Sequence, residues 1–261
     1  MKIISFNLDG ISRACEKGFF EWLNRQDADV ICLQNIQEND AELTDQRIFP
    51  SDYLHYFFSA EPGQPGGVAI YSRTPPKAIM TGLNFPEANT FGAYIQADFD
   101  RLSIASIWVP ECYQTAALKS AKFNFLDAYF LQLEKIQRKR RDFILCGSWE
   151  IALDHHDVAT IDNKHTLSGH LPEERNWMED VQRQLGFVDA YRVVDRSTEQ
   201  YTYWHNEEAF EQNTGWRFDY PLITHSLKSR VLNAGIYRGQ RFSNHAPVIT
   251  YYDWELPSEL F

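Results

Sequence analysis

Short runs of apolar and β-branched residues recur along the chain and predict a fold rich in β-strands. Pro221 lies in one of these runs and indicates a strand at the edge or the end of a sheet, because proline has no N–H to donate. The predicted strands are KIISFN (2–7), VICLQ (30–34), GGVAIYS (66–72), YIQADF (94–99), LSIASIWVP (102–110), FILCG (143–147), FDYPLIT (218–224) and APVITYYDW (246–254).

Between these runs, apolar residues recur at steps of three and four, which predicts amphipathic helices. Residues 121–136 form the longest such pattern, which precedes the basic sequence RKRR. Further helices are predicted over 18–27 and 172–186, the second with Pro172 near its start and Gly186 as its stop. Helices placed irregularly among many strands predict an α/β fold of two packed sheets flanked by helices.

Length and composition favour one domain. The 261 residues contain no low-complexity segment, fixed-period repeat or Gly/Ser-rich linker, so we predict a single domain over residues 1–261. No apolar run approaches the roughly 20 residues that span a bilayer, and the N-terminus resembles a first strand more than a signal peptide. The cysteines are not clustered, so we expect no disulfide framework or zinc site and predict a cytoplasmic location; they are Cys15, Cys32, Cys112 and Cys146.

Charge argues against strong, unaided binding to nucleic acid. The net charge is −11, from 36 acidic and 25 basic residues. Proteins that bind nucleic-acid phosphates without the help of a partner usually carry a basic face. One dense basic segment consists of Lys135, Arg138, Lys139, Arg140 and Arg141. It either complements the dipole of a helix C-terminus or contacts phosphates or a partner, and we favour contact because five cations exceed what a helix end needs. Lys228 and Arg230 are a second candidate for the same role.

Short blocks spread over the whole chain resemble signatures of the exonuclease III branch of the exonuclease–endonuclease–phosphatase superfamily. The resemblance implies a four-layer α-β-β-α sandwich of two mixed sheets, with a metal-dependent phosphodiesterase site at the strand ends. The blocks are SFNLDGI (5–11), ICLQN (31–35), GQPGGVAIYSR (63–73), WVP (108–110), CGSWE (146–150), SGHLPEERNWM (168–178), GWRFDY (215–220) and FSNHAPV (242–248).

The resemblance also implies which residues occupy the site. The family has an Asn in the first strand, an Asp in its RxDY motif and a His in its SDHAP motif, and Asn7, Asp219 and His245 match them. The other positions differ. Asn35 replaces the Glu that holds the metal, and Ser148 replaces the Asp that orients the attacking water. Glu150 stands where the family has an Asn, and Asn244 stands where it has the Asp before the His. Trp108 replaces a Tyr, and Ala93 replaces an Arg.

Three carboxylates are therefore lost and one is gained elsewhere. A hard cation needs oxygen ligands, preferably carboxylates, so we expect no Mg²⁺ at this site, no catalytic residue and no enzymatic activity. Asn7 could instead satisfy backbone groups at a strand end, Asp219 and His245 could form a structural pair, and Glu150 could be solvated or paired with a cation. A rearranged active site that uses Glu150, Asp219 and His245 remains an alternative.

The losses, together with VICLQ, GGVAIYSR, GWRFDY and the closing YDWEL, resemble the catabolite repression control (Crc) proteins of the same branch. That resemblance implies post-transcriptional regulation of carbon catabolite repression, in which the protein helps the RNA chaperone Hfq to hold A-rich translation-initiation regions of mRNA. It implies weak or no RNA binding alone, no membrane contact, and a monomer when free. Two alternatives stay open: a metal-dependent exonuclease III-like DNA repair nuclease, and an interaction module without RNA.

Overall fold

A computed structural model describes residues 1–110, 116–159 and 167–257; Cys112 lies outside these ranges. The described strands are β1 (Lys2–Asn7), β2 (Val30–Gln34), β3 (Leu54–Phe58), β4 (Val68–Ser72), β5 (Ala78–Thr81), β6 (Tyr94–Asp98), β7 (Leu102–Trp108), β8 (Asp142–Ser148), β9 (Val188–Asp189), β10 (Asp219–Ile223), β11 (Val231–Ile236) and β12 (Val248–Tyr252). The described helices are α1 (Ile11–Glu16), α2 (Phe19–Leu23), α3 (Pro86–Thr90), α4 (Ala116–Gln137), α5 (Pro172–Arg183), α6 (Ala190–Val194) and α7 (Glu207–Glu211). None of the described helices is long and apolar enough to cross a membrane.

The strands form two six-stranded mixed sheets. The first sheet has the order β11-β12-β1-β2-β4-β3, and the second has the order β5-β6-β7-β8-β10-β9. Within each sheet one central pair is parallel, β1 with β2 and β7 with β8, and the other pairs are antiparallel. Parallel neighbours end at the same edge, so the polar residues that follow them are brought together.

The apolar residues of β1 alternate between two cores, as the twofold period of a strand requires. Ile3 belongs to a continuous core cluster that includes residues of both sheets and residues of α4 and α5 such as Leu133 and Met178. Ile4 and Phe6 face the other way and pack with α1 and α2. Helices, two sheets and helices thus stack in four layers, and the predicted fold class is confirmed.

The strands that the sequence pattern does not predict are the edge strands of both sheets. β3 and β11 close the first sheet, and β5 and β9 close the second. β5 is mostly exposed, and β3 is at most half-buried. An edge strand buries less apolar surface than a central one, so its sequence is less constrained; β3 nevertheless has the apolar sequence LHYFF, which the strand prediction missed.

Pro221 also has a clear position. Its strand, β10, is next to last, and β9 pairs only with Leu222 and Ile223 beyond it. Pro221 itself pairs with Cys146 of β8 on one side only. The missing N–H therefore faces no neighbouring strand, as predicted for a proline at an edge.

Candidate active site

Several strands of both sheets end or begin at one place and bring polar residues together. β1 ends at Asn7, β8 ends at Ser148, and β10 begins at Asp219 opposite Ser148 in the register. We call this group the strand-end site; its residues are Asn7, Asn35, Ser148, Glu150, Asp219, Asn244 and His245. All of these positions were singled out in the sequence, and the topology places them at the same end of the two sheets.

A chain of hydrogen bonds joins the two sheets at this site. Asn7 Nδ2 donates to Ser148 Oγ at 2.9 Å, and Ser148 Oγ donates to Glu150 Oε1 at 3.1 Å. Asn7 Oδ1 accepts the backbone N–H of Asp9, so this asparagine also satisfies a group at the strand end. The hydroxyl of Ser148 thus lies fully buried between an amide and a carboxylate.

Asp219 and His245 form a buried pair. His245 Nδ1 and Asp219 Oδ2 are 2.7 Å apart, and their side chains are 3% and 0% exposed. An ionised carboxylate can only accept, so Nδ1 carries the proton and Nε2 is the basic nitrogen of the neutral ring. The ring of Tyr203 lies 4.9 Å from the imidazole, centroid to centroid. Among the described residues, Asp219 Oδ1 is buried without a hydrogen-bond donor.

Glu150 was expected to be solvated or paired with a cation; it is buried, so the first of these two alternatives is wrong. Its backbone oxygen accepts a hydrogen bond from Lys122 Nζ at 2.7 Å. The same ammonium contacts Glu174 Oε1 at 2.6 Å, and both side chains are fully buried. Glu174 in turn accepts the backbone N–H groups of Gly169 and Leu171. A buried ion pair from α4 and α5 therefore fixes the turn that carries Glu150.

Four polar residues at this end hold left-handed backbone. The φ angles are 48° for Asp9, 55° for Asn35, 63° for Gln37 and 53° for Glu150. Such conformations are costly for residues other than glycine and cluster at functional sites. Asp9 was missed as a site residue, although it lies in the block SFNLDGI two positions after Asn7. Its carboxylate accepts from Gln37 at 3.1 Å and lies 3.5 Å from Asn244 Nδ2.

Comparison with known proteins agrees with this geometry. Residues 4–245 match the endonuclease/exonuclease/phosphatase family. The chain belongs to this family. It is 29% identical over 254 residues to the exodeoxyribonuclease of Bacillus subtilis, covering 95% of this chain and 98% of the relative. It is 26% identical over 258 residues to the DNA repair nuclease APEX1 of Danio rerio, covering 96% and 82%.

Solved structures show the same fold. An AP endonuclease from Archaeoglobus fulgidus superposes with a TM-score of 0.86 at 22% identity, covering 97% of this chain and all of that one. A 3'-5' exonuclease from Neisseria meningitidis gives a TM-score of 0.85 at 19% identity, with the same coverage. At these identities the similarity establishes the architecture alone.

The expectation that the chain is not an enzyme is wrong on this comparison. The relatives named above, and an exodeoxyribonuclease III of Haemophilus influenzae at 26% identity over 270 residues, are all nucleases by name. Replaced side chains alone do not demonstrate a loss of activity. The chain therefore belongs to the endonuclease/exonuclease/phosphatase family and is similar to members that are named as nucleases, and the resemblance to the Crc proteins is a narrower hypothesis.

The donors at the strand-end site do not fit a resident Mg²⁺ ion. Among the described residues, the one group of three His, Cys, Asp or Glu ligand atoms within 4.8 Å of one another is Asp154, His155 and His156, an exposed cluster elsewhere. Asp219 Oδ1 is a buried oxygen without a donor, but Glu150 is bonded to Ser148 and Asn35 is uncharged. Hard divalent ions need several oxygen ligands, with carboxylates to balance their charge.

Trp108 and Ala93 belong to the core at this end. Trp108 is 2% exposed, and its ring packs edge-on to Phe91 at 6.1 Å. It also lies so close to Gly66 that a Cβ there would come within 2.9 Å of the indole. Gly66 has φ 111°, a conformation that also favours glycine. The large indole thus fills space below the site, and the fully buried Ala93 has no polar group to contribute.

The basic segment lies at the opposite end of the second sheet. α4 ends at Gln137, and the segment leads into the first residue of β8, whose last residue is Ser148. Lys135, Arg138, Lys139 and Arg140 are exposed. Arg141 is not: its guanidinium donates to Ser103 Oγ at 2.7 Å and to the carbonyl oxygens of Phe99 and Leu102, which fixes it to the turn between β6 and β7.

The second candidate pair lies near this same end. Lys228 and Arg230 belong to the segment that follows β10, which ends at Ile223 opposite Ile144. Arg230 pairs with Asp253 at 2.9 Å. The structure therefore places both predicted basic groups away from the strand-end site.

Proposed function

We propose that the protein is a nuclease of the exonuclease III and AP endonuclease type, which hydrolyses phosphodiesters of DNA at the strand-end site. The similarity to nucleases over nearly the whole chain supports this proposal. The observation that carries it is the buried pair of Asp219 and His245, with a contact of 2.7 Å and the imidazole oriented by the carboxylate.

The pair suits general acid–base chemistry. Asp219 holds the proton on Nδ1, so Nε2 of His245 takes a proton from a water molecule as its oxygen attacks phosphorus. The bond from phosphorus to the leaving oxygen breaks, and the imidazolium returns the proton to that oxygen. Asp219 stabilises the imidazolium between these steps, as the acid of a catalytic triad does. No step of this scheme is assigned to a metal ion.

The substitutions predict a slow enzyme. Ser148 and Asn35 supply no negative charge where the family pattern has carboxylates. Loss of a single group that stabilises the transition state typically costs about a hundredfold or more in rate. We therefore expect turnover well below that of a relative with the complete pattern.

A cleavage assay tests the proposal. The substrates are duplex DNA with an abasic site and duplex DNA with a recessed 3' end, each incubated with Mg²⁺, Mn²⁺ or EDTA. We expect slow cleavage that His245→Ala and Asp219→Asn each reduce by about a hundredfold or more. His225→Ala is the matched control, since this histidine lies at the far end of β10, and it should leave the rate unchanged.

Absence of cleavage under all three conditions would end the proposal. Cleavage that His245→Ala leaves intact would do the same, because it would come from another site or from a contaminant. Cleavage that persists in EDTA would agree with the poor donor set for a divalent ion.

A second candidate function is binding of A-rich mRNA together with the chaperone Hfq, as the resemblance to the Crc proteins implies. The observation that favours it is the basic segment: in the described part of the chain, Lys135, Arg138, Lys139 and Arg140 form no ion pair with a carboxylate. Exposed arginines without partners are suited to phosphate contacts.

Gel shifts on an A-rich RNA test this second function. We expect little shift with the protein alone, a shift with Hfq alone, and a larger complex with both. Arg138→Glu combined with Arg140→Glu should remove the larger complex, whereas Arg47→Glu, a reversal at an exposed arginine near α2, should not. A larger complex that survives the double reversal would contradict this role for the segment.

A further inference from the structure

The second sheet carries a pocket at the end that faces away from the strand-end site. Its volume is about 480 Å³, and it lies between the turn after α4, the end of α5 and the segment after β10. Arg101, Lys139, Arg140, Arg141, Asp142 and His225 supply its charged or titratable lining. None of these residues takes part in the proposed nuclease chemistry.

The charge of this pocket is opposite to that of the whole chain. Four cations and one carboxylate line it, an excess of three positive charges in a chain of net charge −11. The carboxylate, Asp142, accepts hydrogen bonds from the hydroxyls of Thr224 and Ser226. It therefore has local partners and is not part of an ion pair with the cations among the described residues.

Three of the four cations that line the pocket are not neutralised by an ion pair in the described part of the chain. No carboxylate of the described chain lies within 4.0 Å of Arg101, Lys139 or Arg140. Arg141 lies 3.9 Å from Asp98, and its position is fixed by the carbonyl oxygens and the hydroxyl described above. Part of the cationic wall is thus held in place before any ligand arrives, which lowers the entropy cost of binding.

The dipole of α4 does not explain why four cations lie around this pocket. Lys139 and Arg140 follow the C-terminus of α4, where cations are favourable. Arg101 comes from the turn between β6 and β7, and His225 follows β10, so three distant segments contribute. Gly186, with φ 74°, has open space in front of its Cα and leaves the opposite wall uncovered.

We propose that this pocket binds a small phosphate-rich ligand of the class of nucleoside di- and triphosphates. The volume lies in the range of pockets for ligands of this size. The excess of three charges matches the three to four negative charges of such phosphates, and arginine binds phosphate oxygens in pairs. Leu185 and Phe187 supply an apolar wall for a base.

Calorimetric titration of the full chain tests the proposal at low ionic strength. The probes are ATP, GTP and pyrophosphate, with adenosine as the control that lacks phosphate. We expect saturable binding of one molecule of ATP or GTP per chain, weakening as salt is added, and none of adenosine. Lys139→Ala combined with Arg140→Ala should weaken it by about tenfold or more, which corresponds to about 1.4 kcal/mol.

The matched control uses the same basic segment. Lys135 and Arg138 belong to it but do not line the pocket, so Lys135→Ala with Arg138→Ala should leave the affinity for ATP unchanged. Equal weakening by the two double variants would overturn the proposal in favour of a diffuse charge effect, and so would binding of RNA without binding of any nucleotide. Neither outcome affects the nuclease assay, because the strand-end site is unaltered in these variants.

Discussion

The two ends of the second sheet are formed by the same strands, but they differ in whether their charged side chains are buried and paired or exposed and unpaired. At the strand-end site, beyond Ser148 and Asp219, charged side chains are buried and each has a partner. At the basic end, beside Asp142, the exposed cations Arg101, Lys139 and Arg140 form no ion pair with a carboxylate of the described residues. The seven residues of β8 separate the two ends by roughly 20 Å. Buried charge requires compensation, so uncompensated charge occurs only where solvent or a ligand reaches it.

The largest expected effect comes from breaking the buried ion pair behind the strand-end site. Lys122→Met leaves the carboxylate of Glu174 buried without its cation and removes the donor to Glu150. Such a change typically costs about 3–5 kcal/mol in the free energy of unfolding. Denaturant unfolding measures it. Lys135→Met, on the same helix at the exposed end, should change that free energy by less than about 0.5 kcal/mol.

The double variant Lys122→Met with Glu174→Gln separates charge from packing, because an amide oxygen can still accept the backbone N–H groups of Gly169 and Leu171. Because both charges are then absent, most of the lost stability should return. A loss as large in the double variant as in Lys122→Met would mean that the stability comes from shape, and the contrast between the two ends would not rest on compensated charge.

The next effect concerns the missing carboxylates. Asn35→Glu, Ser148→Asp, Glu150→Asn and Asn244→Asp together restore the family's side chains at the four positions of the strand-end site that differ from it. We expect Mg²⁺-dependent cleavage of abasic DNA to rise by about a hundredfold or more, equivalent to roughly 2.7 kcal/mol of transition-state stabilisation. The assay compares initial rates with and without Mg²⁺.

His245→Ala in the same restored background is the control, and it should remove the gain. Circular dichroism checks that the four changes leave the fold intact, since Ser148 is fully buried. A folded restored variant with no gain would show that these positions do not limit the rate.

Much of the fold could be predicted from the sequence, for an identifiable physical reason. The eight predicted strands are the four central strands of each sheet, whose residues are buried on both faces or on one. β5 and β11 are not predicted because much of their surface is exposed to solvent, so burial does not require apolar residues at these positions. The apolar sequence pattern of buried core strands indicates the topology, whereas edge strands bury less surface and show less of this pattern.

The positions of the site residues at the strand ends could be predicted from the sequence, but the residues that surround them could be predicted less well. Residues such as Asn7 and Ser148 follow apolar runs, so their place at the strand ends could be inferred. The surroundings of Glu150 could not, because its backbone oxygen contacts Lys122, which is 28 positions earlier and on a different element. Contacts between distant segments have no local signature, and the same holds for the convergence of Arg101 with Arg140.

A smaller effect tests the second buried charge cluster near the strand-end site. Burial alone would raise the pKa of Asp157, but Arg217 and Arg192 lower it from 3.8 to about 2. The folded pKa is thus below the unfolded one, so this stabilisation is present above about pH 4 and is lost as the pH falls towards 2. We expect a loss of about 2 kcal/mol over that interval.

Unfolding free energies measured between pH 5 and pH 2 check this loss. Asp157→Asn is the control: it lowers stability at pH 5, but its curve should fall less steeply over the same interval. Parallel curves for the two proteins would assign the acid sensitivity to other carboxylates.

The smallest expected effect compares neighbouring arginines at the basic end. Arg140 is exposed and has no ion pair among the described residues, so Arg140→Glu should change the free energy of unfolding by less than about 0.5 kcal/mol. Arg141 donates to Ser103 and to two backbone carbonyl oxygens, so Arg141→Ala should cost about 1–3 kcal/mol. Denaturant unfolding of both variants at neutral pH measures the difference. If Arg140→Glu cost as much as Arg141→Ala, the cations of this end would be structural, and the two ends of the sheet would no longer differ in how they hold charge.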